Sequence, residues 1–175
     1  SSLVRIDPLT QVLNRRGLEE AFVVEQSRTE REGVPLAVAL LDIDDFKRLN
    51  DSLGHQAGDM ALQHVANLIR GALRPGDTVS RYGGEEFTIL LPGPIEEDAH
   101  RVAEKVRNLI ERTRFLYQGA EVPVTISVGL SGMLPSQSEA GPQSLSAEAD
   151  LALYAAKAGG RDRVGVKQPE STVAG

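Results

Sequence analysis

Two adjacent glutamates, Glu85 and Glu86, follow a glycine pair in the run Arg81-Tyr82-Gly83-Gly84-Glu85-Glu86-Phe87. The extended run Thr78–Tyr82 before them and the apolar run Phe87–Leu91 after them predict a β-hairpin. Gly83-Gly84 would supply the positive φ angles of a two-residue turn. Two acids at such a tip repel one another, and glutamate is a poor strand former. A divalent cation holding a phosphate would neutralise them; an acidic tip left in solvent is the alternative. A second acidic group, Asp42-Ile43-Asp44-Asp45, ends the apolar run Leu36–Leu41. That run predicts a strand buried on both faces. Ligands in α/β layers gather just beyond strand ends, so the three aspartates add weight to a metal. Each has a plainer use as an N-cap or loop carboxylate, and Asp44 is placed to cap the next helix.

Other polar pairs suit other partners. Asn50 and Asp59 could read the edge of guanine, since a carboxylate accepts from the N1–H and the exocyclic amine, donors that adenine lacks on that edge. The plain use of Asp59 is to cap a helix beginning near it. His55, in a glycine-flanked turn, is read as structural. Arg74 and Asp77 face each other across Pro75-Gly76 and predict an exposed ion pair, worth little. Asp7 with Arg15 or Arg16 predicts a structural latch.

The elements that must position these groups follow from periodicity. Helices are predicted over Arg15–Arg31, around Phe46–Leu53, from Asp59 to about Leu73, over Ile95–Arg114 and over Ala147–Ala158, the last with Leu151, Tyr154 and Ala155 on one face. Strict alternation of Val122, Val124, Ile126, Val128 and Leu130 predicts one strand, with the Pro123 end at an edge or unpaired. Residues 131–146 read as a mobile loop, Gly159-Gly160 stops the last helix, and a short strand follows near Val164–Val166. A length of 175 residues suits one domain with a full core. Its bounds are expected at 1–168, with a frayed tail over 169–175.

Composition narrows the function classes. There is no cysteine, which excludes disulfides, thiol catalysis and thiolate zinc sites, and the 3 histidines are scattered. A net charge of −6 and a pI near 5.1 argue against a nucleic-acid backbone as partner. Aromatic content of 4% argues against base-stacking platforms. No apolar run approaches the ~20 residues of a membrane span, and no signal peptide is visible.

Several segments together resemble the GGDEF domains, the diguanylate cyclases that make cyclic di-GMP from two GTP. They are Asp7-Pro8-Leu9-Thr10 with Asn14-Arg15-Arg16, Asp42-Ile43-Asp44-Asp45-Phe46-Lys47 with Asn50-Asp51, Gly54-His55 with Gly58-Asp59, the glycine–glutamate run, Ser127-Val128-Gly129, and Ala149-Asp150 through Lys157 to Gly160-Arg161. Glu85 stands where the family's name has Asp, and both are carboxylates. The resemblance implies an α+β fold, a central and mainly antiparallel five-stranded sheet flanked by helices, like nucleotidyl cyclases and polymerase palm domains.

The resemblance also implies roles. Asp42, the carbonyl of Ile43 and Glu85 match the ligands of Mg²⁺ or Mn²⁺, with Glu86 in a metal or supporting role. Glu85 matches the base for the attacking ribose hydroxyl. Asn50 and Asp59 match the guanine readers. Lys47, Lys157, Arg161 and the backbone around Asp45 and Phe46 match the phosphate ligands, beside Gly83 and Gly84 of the turn. Arg74 and Asp77 match an inhibitory product site that a distant arginine, Arg101 or Arg107, would complete. The partners implied are GTP, cyclic di-GMP, a second copy for catalysis and a fused sensor domain, in the cytoplasm, with no membrane contact from this segment. A silent cyclic di-GMP or GTP-binding module is the alternative.

Overall fold

The computed structural model describes residues 4–133 and 141–167, with the side chains of 141–145 and 167 left aside. The elements run in order α1 (Arg15–Glu32), β1 (Leu36–Ile43), α2 (Phe46–Leu53), α3 (His55–Ala72), β2 (Thr78–Arg81) and β3 (Glu86–Pro92). A π-helical turn (Ile95–Ala99) leads into α4 (His100–Arg112), then β4 (Phe115–Tyr117), β5 (Ala120–Val122), β6 (Ile126–Met133), α5 (Gly141–Ala158) and β7 (Arg163–Lys167). The main sheet has the order β2-β3-β1-β6-β7, with every pairing antiparallel except β6 with β7. This is the expected five-stranded, mainly antiparallel α+β sheet.

The apolar run Leu36–Leu41 becomes the central strand because both sides of it can be buried. Ala37, Ala39, Leu41 and Ile43 join the large core cluster with Leu62, Val65 and Ile69 of α3 and Val106 and Ile110 of α4. Leu36 and Val38, on the alternate phase, pack with Leu18 and Phe22 of α1 and Ala149 of α5. Asp42 continues that second phase, so its side chain belongs to the α1/α5 face.

Several local expectations change. The Val122–Leu130 alternation is broken at 123–125: β5 pairs with β4 in a separate two-stranded ribbon, and β6 enters the main sheet. Pro123 lies in that break, unpaired, as its missing N–H requires. The ribbon's turn, Gln118-Gly119, has φ of 50° and 79° and takes the positive-φ form. At the other hairpin, Gly83 and Gly84 have no positive φ. Its loop is longer than two residues, closing with Tyr82 N–H to Glu86 C=O at 2.9 Å. α3 begins at His55, so Asp59 lies one turn inside it and caps nothing. Residues 131–133 belong to β6 and 141–146 to α5; the rest of the predicted 131–146 loop, and the predicted tail, lie outside the described residues. The expected helix over Ile95–Arg114 starts as a π-helical turn and ends at Arg112.

The face of α5 was also misassigned by periodicity. Ala149, Ala152, Leu153 and Ala156 are buried, whereas Leu151, Tyr154 and Ala155 are exposed. The reason is a glycine patch. Gly129 of β6 and Gly165 of β7 are paired neighbours. A Cβ on Gly129 would lie 2.1 Å from the Ala149 carbonyl oxygen and 2.3 Å from the Leu153 nitrogen. One on Gly165 would lie 2.5 Å from the Ala152 carbonyl oxygen. The α5 backbone therefore rests directly on the sheet at these two glycines.

Gly129→Ala must push α5 off this seat, because the opposing atoms are backbone and cannot turn aside. Urea denaturation should show a loss of about 3 kcal/mol, the upper end of the range for overpacking. Gly71→Ala in α3, where an added Cβ meets nothing within 4 Å, should leave stability equal or raised.

Candidate functional site

Strand register brings the acidic segments together. Asp42 of β1 lies opposite Glu86 of β3 and, on its other side, opposite Ser127 of β6. Directly opposed antiparallel residues share a face with Cβ atoms about 4.5–5.5 Å apart. Glu85 stands one residue before β3, and the charge of Asp42 reaches it as well. Burial, and then the Asp42 charge, push both glutamate carboxyls above their ordinary pKa; Asp150 of α5 adds to the effect on Glu86. Lys157 answers this charge by donating from Nζ to Asp42 Oδ2. The other oxygen, Asp42 Oδ1, is buried with no hydrogen-bond partner.

This donor set fits a hard divalent cation. Among the described residues no three Asp, Glu, His or Cys side chains form a ready-made metal cage. An incomplete oxygen set is what such an ion needs if substrate phosphates are to complete its shell. The unpartnered Asp42 oxygen and the two glutamates held above their ordinary pKa all gain from a cation there.

A second network fixes the loop after β1. Asp44 does not cap α2. Its carboxylate accepts from Thr125 Oγ1 at 2.7 Å, Ser127 Oγ at 2.6 Å and the Asp162 backbone N–H at 3.0 Å. The residue before α2 is Asp45, in left-handed conformation with φ 56° and no side-chain cap. Arg161 and Asp162, on the opposing turn, are left-handed too, at 63° and 44°. Arg161 Nε lies 3.8 Å from Asp45 Oδ1. Strained backbone of this kind persists where surrounding contacts over-determine it, and Asp44 supplies three of them. Lys47 is exposed on the first turn of α2.

Asn50 and Asp59 both lie at the α2–α3 corner. The Asn50 side chain lies against Gly58, where an added Cβ would stand 1.8 Å from Asn50 Oδ1. Asp59 is the next residue and is exposed. His55 opens α3 and is exposed.

Arg74 and Asp77 form more than an exposed ion pair. The Asp77 side chain is only 2% exposed. It accepts from Arg74 Nε at 2.9 Å, Nη2 at 2.8 Å and backbone N at 2.9 Å. Arg107 is fully committed to Glu104, Glu111 and Asp162, so it is not free to complete a site around Arg74. Arg101 is exposed one turn from Asp98, whose charge reaches Arg74.

Sequence reading missed Arg81. Its guanidinium donates to the Gly84 carbonyl at 3.1 and 2.8 Å and lies 3.4 Å from both Asp7 carboxylate oxygens. The latch of the N-terminal segment is therefore Asp7 with Arg81, not with Arg15 or Arg16. Arg15 instead sits 4.5 Å from the ring centroid of Tyr82, and Arg16 lies near Glu20. No local spacing signals a pair 74 residues apart. A cavity of about 550 Å³ opens between α1 and α5, lined among others by Leu18, Phe22, Val38, Glu86 and Asp150.

Two outcomes follow. Asp44→Ala leaves the hydroxyls of Thr125 and Ser127 and an N–H without an acceptor, and thermal unfolding should show a loss of about 1–3 kcal/mol. For Glu86 the sign is opposite. A carboxyl whose folded pKa exceeds its unfolded value binds its proton more readily in the native state. Native stability therefore falls as pH rises from the unfolded pKa through the folded one. Glu86→Gln should raise the stability of the metal-free domain at neutral pH, and the gain should vanish below the ordinary glutamate range of about 4.3, read from unfolding midpoints across a pH series.

Comparison with known proteins agrees with this geometry. The family model "Diguanylate cyclase, GGDEF domain" matches residues 4–163. Diguanylate cyclase DgcP of Pseudomonas aeruginosa is 42% identical over 160 residues, covering 91% of this chain and 23% of that protein. Diguanylate cyclase A of Treponema denticola is 39% identical over 147 residues, covering 84% of this chain and 38% of that protein. The chain thus spans well under half the length of these curated relatives. The coiled coil and GGDEF domain of DgcB from Caulobacter crescentus, solved in complex with c-di-GMP, superposes with a TM-score of 0.84 at 31% identity, over 93% of this chain and 85% of that one. SiaD from Pseudomonas aeruginosa, solved with its activator SiaC, gives 0.85 at 37%, over 93% and 61%. A family match along almost the whole chain, the shared fold and the paired acidic segments give one assignment: this chain belongs to the GGDEF family of diguanylate cyclase domains.

Proposed function

We propose that this domain condenses two GTP into cyclic di-GMP with release of pyrophosphate, as a Mg²⁺- or Mn²⁺-dependent homodimer. The observation that carries the reading is the register of Asp42 against Glu86, with Glu85 beside them and Lys157 on Asp42. It gathers acids for a metal and a cation for phosphate at one end of the sheet. Asp42, the Ile43 carbonyl, Glu85 and Glu86 would hold the metal, which supplies charge neutralisation at the phosphoryl oxygens.

The chain's own residues do the rest. The 3′-hydroxyl of one GTP attacks the α-phosphorus of the other, and Glu85 accepts its proton. A carboxylate lifted above its ordinary pKa is a stronger base at neutral pH. Lys157, Arg161 and Lys47 face the triphosphate charge, joined by backbone N–H groups of Asp45 and Phe46 at the start of α2. Asp45 is left-handed just before α2, and Gly83-Gly84 keep the hairpin tip free of side chains. Asn50 and Asp59 read guanine. One domain offers one such site, and two reciprocal bonds need two. Arg74 and Asp77, with Arg101 rather than Arg107, form the product-inhibition site. Binding there has to compete with the bidentate Arg74–Asp77 pair already in place.

Chromatography of GTP incubated with Mg²⁺ and concentrated protein should show cyclic di-GMP, with specific activity rising with protein concentration. Glu85→Ala should lower it at least a hundredfold; equal turnover by that variant refutes the assignment. Gly58→Ala, which must displace Asn50 without removing any proposed ligand, should raise KM for GTP about tenfold with a smaller change in kcat. Calorimetry with cyclic di-GMP should show at least tenfold weaker binding for Arg74→Ala, and unchanged affinity removes that site from the proposal.

A further inference from the structure

Arg107 stands apart from the acidic corner, yet its side chain ends on the turn that carries Arg161. α4 packs through Val102, Val106 and Ile110 on the large core cluster, whereas Ala149 of α5 belongs to the cluster on the other face of the sheet. From α4, Arg107 Nη1 donates to Asp162 Oδ1 at 2.9 Å, across 55 positions of chain. The guanidinium is aimed by its own helix. Glu104 accepts from Nε and Nη2 at 3.4 and 3.3 Å, and Glu111 accepts from Nη1 at 2.6 Å. These acids stand three residues before and four after Arg107, the spacings that make side chains neighbours on a helix. Asp162 comes from another element and docks on a fork already set. The Arg107 side chain is 17% exposed, so solvent screens this contact less than a surface pair.

Asp162 is thereby held from two sides. Its carboxylate is bound to α4, and its backbone N–H donates to Asp44 Oδ2 at 3.0 Å, in the loop after β1. Between these anchors Arg161 and Asp162 keep φ of 63° and 44°. Two successive left-handed residues that carry side chains need such support. Strained backbone of this kind collects at ligand clamps. The group this turn presents is Arg161, whose Nε lies 3.8 Å from Asp45 Oδ1 at the start of α2.

We propose that Arg107 is a positioning residue for the triphosphate: acting through Asp162, it holds the turn after α5 so that Arg161 stands beside the start of α2. The identity of the ligand as a triphosphate rests on the cyclase reading; the contacts that hold the turn do not. The competing account is an ion cluster that stabilises α4 and nothing else. Glu111→Ala separates the two, because it takes a carboxylate from the same guanidinium and leaves Asp162 in place.

Calorimetry with Mg²⁺ would use two probes: a GTP analogue with a methylene between the α- and β-phosphates, and GMP, which shares the base but lacks the outer phosphates. Arg107→Ala should weaken the analogue about tenfold, the scale of a lost charge-assisted hydrogen bond, and GMP by less than about twofold. Asp162→Gly removes the carboxylate but suits a left-handed backbone. It should weaken the analogue to the same degree, and adding Arg107→Ala to it should cost no more. Asp162→Asn keeps an acceptor oxygen for Arg107 and should retain most of the affinity that Asp162→Gly loses. Glu111→Ala should bind both probes as the parent does. Unchanged analogue affinity in Asp162→Gly overturns the proposal, whether or not Arg107→Ala folds. So does an equal loss for GMP, or an equal loss in Glu111→Ala, since either marks a role in the fold alone. If the contrasts hold while the parent makes no cyclic dinucleotide, the positioning role stands and the cyclase reading fails.

Discussion

The backbone of α5 lies against two glycines, and most of the site depends on that contact. Gly129 and Gly165 are neighbours on β6 and β7 and offer a floor with no Cβ. A helix seated on ordinary side chains would ride several ångströms higher, since helices pack at axis separations set by the residues between them. At that height the Lys157 ammonium would no longer meet Asp42. The glycine patch thus turns a packing relation into an electrostatic one.

The acids it serves are costly to gather. Asp42 is 6% exposed, lies opposite Glu86 and senses Glu85, so three carboxylates share a partly buried corner. Burial and this repulsion hold the Glu85 and Glu86 carboxyls above their ordinary pKa. Lys157 offsets part of this and leaves Asp42 Oδ1 without a partner. A site in this condition is poised for a cation carried by an anionic substrate. The turn beside it is held by a different device. Three left-handed residues, Asp45, Arg161 and Asp162, are kept in place by the Asp44 carboxylate and by Arg107 on Asp162. One loop presents backbone N–H groups and the other presents Arg161, and neither could keep that geometry alone.

The N-terminal segment connects to the same corner. Asp7 binds Arg81, Arg81 binds the Gly84 carbonyl, and Leu13 hydrogen-bonds to Val79 and Arg81 of the edge strand. Chain entering from before Asp7 is therefore mechanically continuous with the tip that carries Glu85. The curated relatives extend well beyond the part matched here.

Local pattern was enough for the elements whose hydrophobic period matched a single environment. The Leu36–Leu41 run and the two strands of the hairpin around Glu85-Glu86, though not its turn, were legible, as were the acidic segments themselves, because residue type and spacing are properties of the chain. Pattern failed where two environments shared one period or where no face was distinctive. The Val122–Leu130 alternation continues through a change of sheet, since Val122 of β5, Val124 of the break and Ile126, Val128 and Leu130 of β6 all pack on the same core cluster. α5 is apolar on both sides, so periodicity could not choose between Leu153 and Tyr154; the glycines of two distant strands chose. Pairs such as Asp7–Arg81, Lys157–Asp42 and Asp44–Thr125 leave no local mark, because strand order and register bring them together. The sequence by itself determined which acids, cations and glycines were available, and its family motifs named their chemistry. Only tertiary structure decided which of them touch, because contact between residues far apart in the chain is set by sheet register and by how closely a helix can approach the sheet.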